Sequence, residues 1–198
     1  MEFAVSDVAE VRYKVVLIGD SKVGKTALAK RLLSDEFVSE YGPTTGCEVS
    51  RLPLETTEGR IVLEIWDVGG HDAGSPLKDG FFIGADAALA VFDCTSKDTF
   101  ARIEPWVRHL RAVLSGGREV PIVAIANKID SAGRVVSAVT HIRGLPCYEV
   151  SVKESTGLLT AIHPLSRALT KHDDLTITAV NGRPVKEEAQ QPPDELSL

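Results

Sequence analysis

No run of about 18 apolar residues occurs anywhere in the chain, so the sequence offers no membrane-spanning helix. Positive charge is in short supply: 22 lysines and arginines face 28 aspartates and glutamates, a net charge of −6. That balance argues against broad electrostatic binding to nucleic acid, which needs a basic face. Cysteine is scarce, and Cys47, Cys94 and Cys147 stand at irregular spacing that fits no metal-binding pattern. An odd, uneven set of thiols predicts reduced core residues in an intracellular protein. The N-terminus is acidic and lacks the basic and apolar regions of a secretory signal. No internal repeat is visible. What is present is 198 residues with 43% hydrophobic content, enough for one core and a tail.

Apolar runs alternate with helical stretches. Residues 11–18 read as a strand, and the unbroken Val15-Val16-Leu17-Ile18 predicts burial on both faces. A glycine-rich turn follows, then good helix formers over 27–33. Residues 48–55 and 60–66 alternate like strands, with Thr57-Glu58-Gly59 as the hairpin turn between them. Residues 85–92 and 121–126 are apolar strands, and 146–150 is a short last one. A helix is expected over 100–114, ended by Gly116-Gly117, and another over 158–169 that Pro164 should kink or interrupt. This order predicts an α/β fold with about six strands, mostly parallel, one antiparallel edge strand and helices on both faces. Residues 1–10 read as an N-terminal extension and 11–171 as the domain. The proline- and acid-rich 172–198 reads as a partly disordered acidic tail, with 175–180 docking onto the domain.

Gly19-Asp20-Ser21-Lys22-Val23-Gly24-Lys25-Thr26 fits G-x-x-x-x-G-K-[ST] between a buried strand and a helix. In that context the glycines let backbone N–H groups, from Asp20 to Ala27, wrap phosphate oxygens at the positive helix end. Lys25 is placed to neutralise β- and γ-phosphates, and the Thr26 hydroxyl to ligate Mg²⁺. Asn127-Lys128-Ile129-Asp130 follows the apolar strand over 121–126. At the carboxyl end of such a strand the Asp130 carboxylate can accept both N–H donors of a guanine edge. Adenine offers no matching pair and would leave the carboxylate unpaired. Guanine nucleotide is the expected ligand, on a P-loop NTPase fold.

With these residues the chain resembles the Ras superfamily of small GTPases over about 11–171. Phe37, Tyr41 and Thr44 stand 12, 16 and 19 residues after Lys25, at the family's spacing. The resemblance implies that Pro43-Thr44 is the switch I motif, with Thr44 as the second hydroxyl ligand of Mg²⁺. Thr45 competes for that role, but the spacing and the preceding proline favour Thr44. Phe37 would pack beside the guanine, with Tyr41 in the same nucleotide-facing loop. Trp66-Asp67-Val68-Gly69-Gly70 resembles switch II, which implies that Asp67 holds Mg²⁺ through water and that the Gly70 N–H meets the γ-phosphate. Ser151-Val152-Lys153 resembles the loop behind the guanine. Lys25, Thr44, Gly70 and His71 are thereby the expected catalytic group. His71 stands where most members carry glutamine. A neutral imidazole has one donor and one acceptor but on a rigid, shorter ring, so slow or absent hydrolysis is favoured over a harmless histidine.

Thr44-Thr45-Gly46-Cys47-Glu48-Val49, Lys78-Asp79-Gly80-Phe81-Phe82-Ile83 and Val91-Phe92-Asp93-Cys94-Thr95-Ser96 are similar to the Ran branch, as are Pro105-Trp106 and the acidic C-terminus. That likeness implies nucleocytoplasmic transport, with an exchange factor, an activating protein and transport receptors as partners. The last cysteine is Cys147 and residue 2 is glutamate, so neither a prenyl nor a myristoyl anchor is expected. A soluble monomer shared between nucleus and cytoplasm follows. Ser39-Glu40-Tyr41 is closer to Ras or Rab relatives, including Rab-like ciliary proteins, and Gly69-Gly70 to the Arf pattern. A Rab-like, largely non-hydrolysing binding module is therefore the alternative.

Overall fold

In the computed structural model the unbroken apolar runs form the middle of a sheet, and the described residues are 10–35, 37, 42–69, 76–114, 119–136, 141–142 and 144–185. In chain order the elements begin β1 (Val11–Ile18), α1 (Lys25–Ser34), β2 (Cys47–Thr56), β3 (Gly59–Val68) and α2 (Pro76–Phe82). They continue with β4 (Ala87–Asp93), α3 (Lys97–Ala101), α4 (Ile103–Val113), β5 (Ile122–Asn127) and β6 (His141–Ile142). The last are β7 (Leu145–Glu149), α5 (Leu158–Thr170), β8 (Ile177–Val180) and β9 (Arg183–Pro184). The strands lie in the order β6-β7-β5-β4-β1-β3-β2-β8-β9. β1 runs parallel to β3 and β4, β4 to β5, and β5 to β7, while β2 pairs antiparallel with β3 across the expected hairpin.

Both faces of β1 are covered, as its continuous run requires. Val15 and Leu17 enter one apolar cluster with Leu28 and Leu32 of α1 and Ala161, Ile162 and Leu165 of α5. Val16 and Ile18 enter the other with Phe82 of α2 and Ile103, Trp106 and Leu110 of α4. Because β1, β3, β4 and β5 are parallel, Gly19, Asp67, Asp93 and Asn127 all emerge at one edge of the sheet. That carboxyl edge is where open α/β sheets build their sites. Cys47, Cys94 and Cys147 are free thiols, and burial pushes Cys47 and Cys147 up to about 11, which keeps them protonated. Among the described residues no helix is long and apolar enough to cross a membrane.

The structure differs from the expected elements at several points. The helix expected over 100–114 is two helices joined at Arg102. Pro105 has no N–H to give the Ala101 carbonyl, so the ladder breaks there and Pro105 sits in the first turn of α4. Pro164 does not interrupt α5, which is continuous from Leu158 to Thr170. Ala161 and Ile162 on one side and Leu165 on the other are fixed in the core, and packing overrides the lost bond. The sheet has nine strands among the described residues rather than about six, and β2 is no longer its edge.

Within the acidic tail expected from 172, the described residues run to 185. Leu175 and Ile177 are buried, β8 pairs antiparallel with β2, and β9 folds back on β8. Docking of 175–180 was expected; the second strand was not. Its turn is Asn181-Gly182, both at positive φ (49° and 71°), the residue pair a tight hairpin favours. Asn181 Nδ2 reaches back to the Leu32 and Leu33 carbonyls at 3.2 and 2.5 Å and caps the end of α1. Residues 1–9, 116–117 and 186–198 lie outside the described residues.

Candidate functional site

β1 ends in the turn that carries Gly19 to Gly24, and α1 starts on Lys25. Gly19 (φ 135°) and Gly24 (φ 102°) hold conformations that L side chains avoid. A Cβ on Gly19 would run into the Val91 carbonyl, and one on Gly24 into the Asn127 side-chain amide. Lys25 is 6% exposed, and its ammonium donates to the Gly19 and Asp20 carbonyls at 2.8 and 2.7 Å. No acidic residue lies in the first turn of α1. A buried cation at an unopposed helix N-terminus is the electrostatic arrangement that receives phosphate.

Thr26, Thr44 and Asp67 converge beside that helix start. The Thr26 and Thr44 hydroxyl oxygens are 2.8 Å apart, and Thr26 donates to Asp67 Oδ2 at 2.5 Å. Thr44 Oγ1 lies 3.4 Å from the same oxygen. Asp67 is 3% exposed, yet its other oxygen, Oδ1, is buried with no hydrogen-bond partner among the described residues. Buried carboxylate oxygens are rarely left so, and one beside two hydroxyls is a hard-oxygen donor set suited to Mg²⁺. Gly69 keeps this approach open, since a Cβ there would strike the Thr44 carbonyl, and its N–H donates to the Gly46 carbonyl at 3.0 Å.

The second expected motif ties itself to the first. Asn127, 2% exposed, donates from Nδ2 to the Val23 carbonyl at 2.9 Å and accepts at Oδ1 from the Lys128 and Val152 N–H groups at 2.8 and 3.2 Å. Lys128, at φ 69°, donates to the Lys22 carbonyl at 2.9 Å and to Asp93 Oδ2 at 2.6 Å. Asp130 accepts from the Ser151 hydroxyl at 2.7 Å, and Lys153 Nζ lies 4.0 Å from its other oxygen. The Val152 and Lys153 carbonyls are held from across the site by Arg31 at 2.8 and 2.7 Å. Phe37, 40% exposed, has its ring 5.5 Å from the Arg31 guanidinium, beside the same loop.

The fold therefore gathers Lys25, Thr26, Thr44 and Asp67 into one cluster and Asn127, Lys128, Asp130 and Ser151 to Lys153 into another, with Asn127 bridging them. Ser21 and Ala27 flank the first cluster half-buried, and Val23 is buried beneath it. Tyr41, Gly70 and His71 lie outside the described residues.

Asp93, Arg31 and the Asp20 side chain were not foreseen as parts of the site. Asp93 ends β4 in register with Asn127. Burial pushes its carboxyl up, but hydrogen bonds from Lys128 and Thr95 outweigh that and hold it below the usual carboxylate range. Its signal in the sequence was an acid closing an otherwise apolar strand. Arg31 carried no such signal, because its partners lie 121 and 122 residues away. Residues 14–171 match the model of the Ras family.

Proposed function

The chain belongs to the Ras family, GTP-binding switches that generally take guanine nucleotide with Mg²⁺ and hydrolyse GTP; from that premise we propose how its residues divide the work. The observation that carries the reading is the convergence of Thr26, Thr44 and Asp67, with Asp67 Oδ1 left without a partner among the described residues. Thr26 and Thr44 would supply hydroxyls to the metal, and Asp67 would hold it through water. A Mg²⁺ ion held there would supply positive charge against the phosphates. Lys25 neutralises phosphate from its buried position, and the N–H groups from Asp20 to Ala27 enclose the oxygens. Asp130 reads the guanine, Asn127 and Lys128 brace its loop against the glycine-rich turn, and Phe37 and Tyr41 cover the base. Ser151, Val152 and Lys153 set the back of the pocket. Gly70 meets the γ-phosphate, and His71 beside it is a poor substitute for the water-orienting glutamine, so GTP persists.

In the same reading the switch is Ran-like and acts in nucleocytoplasmic transport, on the segments that resemble that branch. It shuttles between nucleus and cytoplasm as a monomer, meeting an exchange factor, an activating protein and transport receptors. His71 favours one second reading, a Rab-like binding module that hardly hydrolyses its nucleotide. The base assignment is tested with Asp130→Asn, which exchanges an acceptor for a donor. The variant should lose GDP affinity and prefer xanthosine diphosphate in competition binding. Displacement of GDP from the parent protein by ATP as readily as by GTP would defeat the reading.

A further inference from the structure

Asp20 places a carboxylate inside a turn built to receive anions. Pointed at the phosphates, that charge would oppose them. The structure turns it the other way. Trp106 Nε1 donates to Asp20 Oδ1 at 2.9 Å, and Arg102 Nε lies 3.5 Å from Oδ2. The carboxylate is 14% exposed, so the pairing is only partly shared with water. Meanwhile the main-chain carbonyl of the same residue accepts from Lys25 Nζ at 2.7 Å. One residue thus faces two ways, its side chain toward α4 and its carbonyl toward the cation.

The donors on α4 are well founded. Trp106 is 3% exposed and lies in the apolar cluster with Ile103, Val107 and Leu110, so its indole N–H has a fixed direction. Arg102 occupies the joint between α3 and α4 that Pro105 creates, and this brings its side chain over the turn. Buried indoles as a rule find an acceptor, but a backbone carbonyl would serve. Choosing the one acid in an anion-binding turn does more than satisfy the indole.

We propose that Trp106 and Arg102 are positioning residues of the nucleotide site, acting through Asp20 to hold its carboxylate off the bound phosphates and to fix the carbonyl that presents Lys25. The proposal rests on the guanine-nucleotide reading above and places a control point for nucleotide release in α4. Two consequences separate it from simple core packing. The effect of removing the indole donor must vanish when Asp20 has no carboxylate to receive it. The effect of removing Arg102 must vanish when residue 20 is uncharged.

The experiment follows release of N-methylanthraniloyl-GDP from the full chain after preloading. Trp106→Phe keeps most of the ring and loses the N–H, and should release the probe about tenfold faster, the scale of a hydrogen bond to a charged group. In the Asp20→Ala background the same change should add nothing. Arg102→Ala, at an exposed position that leaves the fold intact, should speed release about twofold at low salt and lose that effect in the Asp20→Asn background. Backbone hydrogen exchange over 19–25 in nucleotide-free protein should rise in Trp106→Phe. An undiminished Trp106→Phe effect in the Asp20→Ala background would assign the indole to packing and overturn the proposal. Parent-like release from both Trp106→Phe and Arg102→Ala would overturn it too. A parent protein that retains no labelled GDP would instead bring down the guanine reading, and this proposal with it.

Discussion

Asn127 is a strong place to perturb the site, because one small side chain makes three hydrogen bonds, two of them buried and to distant segments. Asn127→Ala removes the donor to the Val23 carbonyl at 2.9 Å and the acceptor for the Lys128 and Val152 N–H groups at 2.8 and 3.2 Å. Each bond is worth about 0.5–1.5 kcal/mol net, and the partners left behind are poorly hydrated, so the loss centres on about 3 kcal/mol. For a domain of this size that corresponds to a fall of about 6–12 °C in melting temperature. Scanning calorimetry or fluorescence-detected melting without nucleotide reads it directly. Gly24→Ala should reach the same contact from the other side, since its Cβ would displace the Asn127 amide and its φ of 102° disfavours alanine. A fall of less than about 2 °C for Asn127→Ala would mean that these bonds are replaced by water at no cost. The tie between the two motifs would then carry no stability.

Thr26→Asn should weaken GTP binding more than GDP binding, because the γ-phosphate is a further metal ligand; titration calorimetry with and without Mg²⁺ would show equal losses if the hydroxyl were not a ligand. His71→Gln should speed single-turnover hydrolysis of preloaded GTP about tenfold, equivalent to about 1.4 kcal/mol of barrier, and a parent rate at or above the variant's would make the histidine itself competent. The Asp93 carboxyl binds its proton less readily folded than unfolded. It therefore stabilises the fold above its unfolded value near 4, and that contribution is lost as pH falls through the lower folded value. Lys128→Met should flatten the decline in stability on acidification below about pH 4.5, and an unchanged acid limb in denaturant titrations would remove Asp93 from the account.

The parts of the fold that were legible are those in which local pattern and burial agree. Val15 to Ile18 and the runs in β4 and β5 are apolar on every residue because both faces of the central sheet are covered, and the β2–β3 hairpin follows its alternation and turn. The joint at Arg102 was harder to read, since the helical pattern continues through it and only the missing N–H of Pro105 breaks the ladder. Pro164 misled in the opposite direction: the local penalty is real, but buried neighbours on both sides hold α5 together. β9 was missed because two residues carry almost no periodic signal, although Asn181-Gly182 marked the turn. In the candidate site, Lys25, Thr26, Asn127 and Asp130 stand in contiguous motifs, while Thr44 and Asp67 were expected from the family resemblance. The pairings of Asp93 with Lys128, Arg31 with the 152–153 carbonyls and Asp20 with Trp106 span 35 to 122 residues. Nothing in a linear pattern announces them.

The Asn181 clasp on α1 bears on the order in which the molecule can be completed. Its hydrogen bonds join positions 148 and 149 residues apart, so the carbonyl end of α1 has no donor from this hairpin until residue 181 has been made. A growing chain that has reached only Lys171 has every segment of both motifs but leaves the stretch of β2 around Leu54 and Glu55 as an open sheet edge, the surface along which strands of different molecules associate. The closing hairpin is also the contact with the largest loop-closure cost, and contacts of that kind form late. The pairing of β8 with β2 closes an edge that the motif-bearing domain would expose for as long as β8 is still unmade.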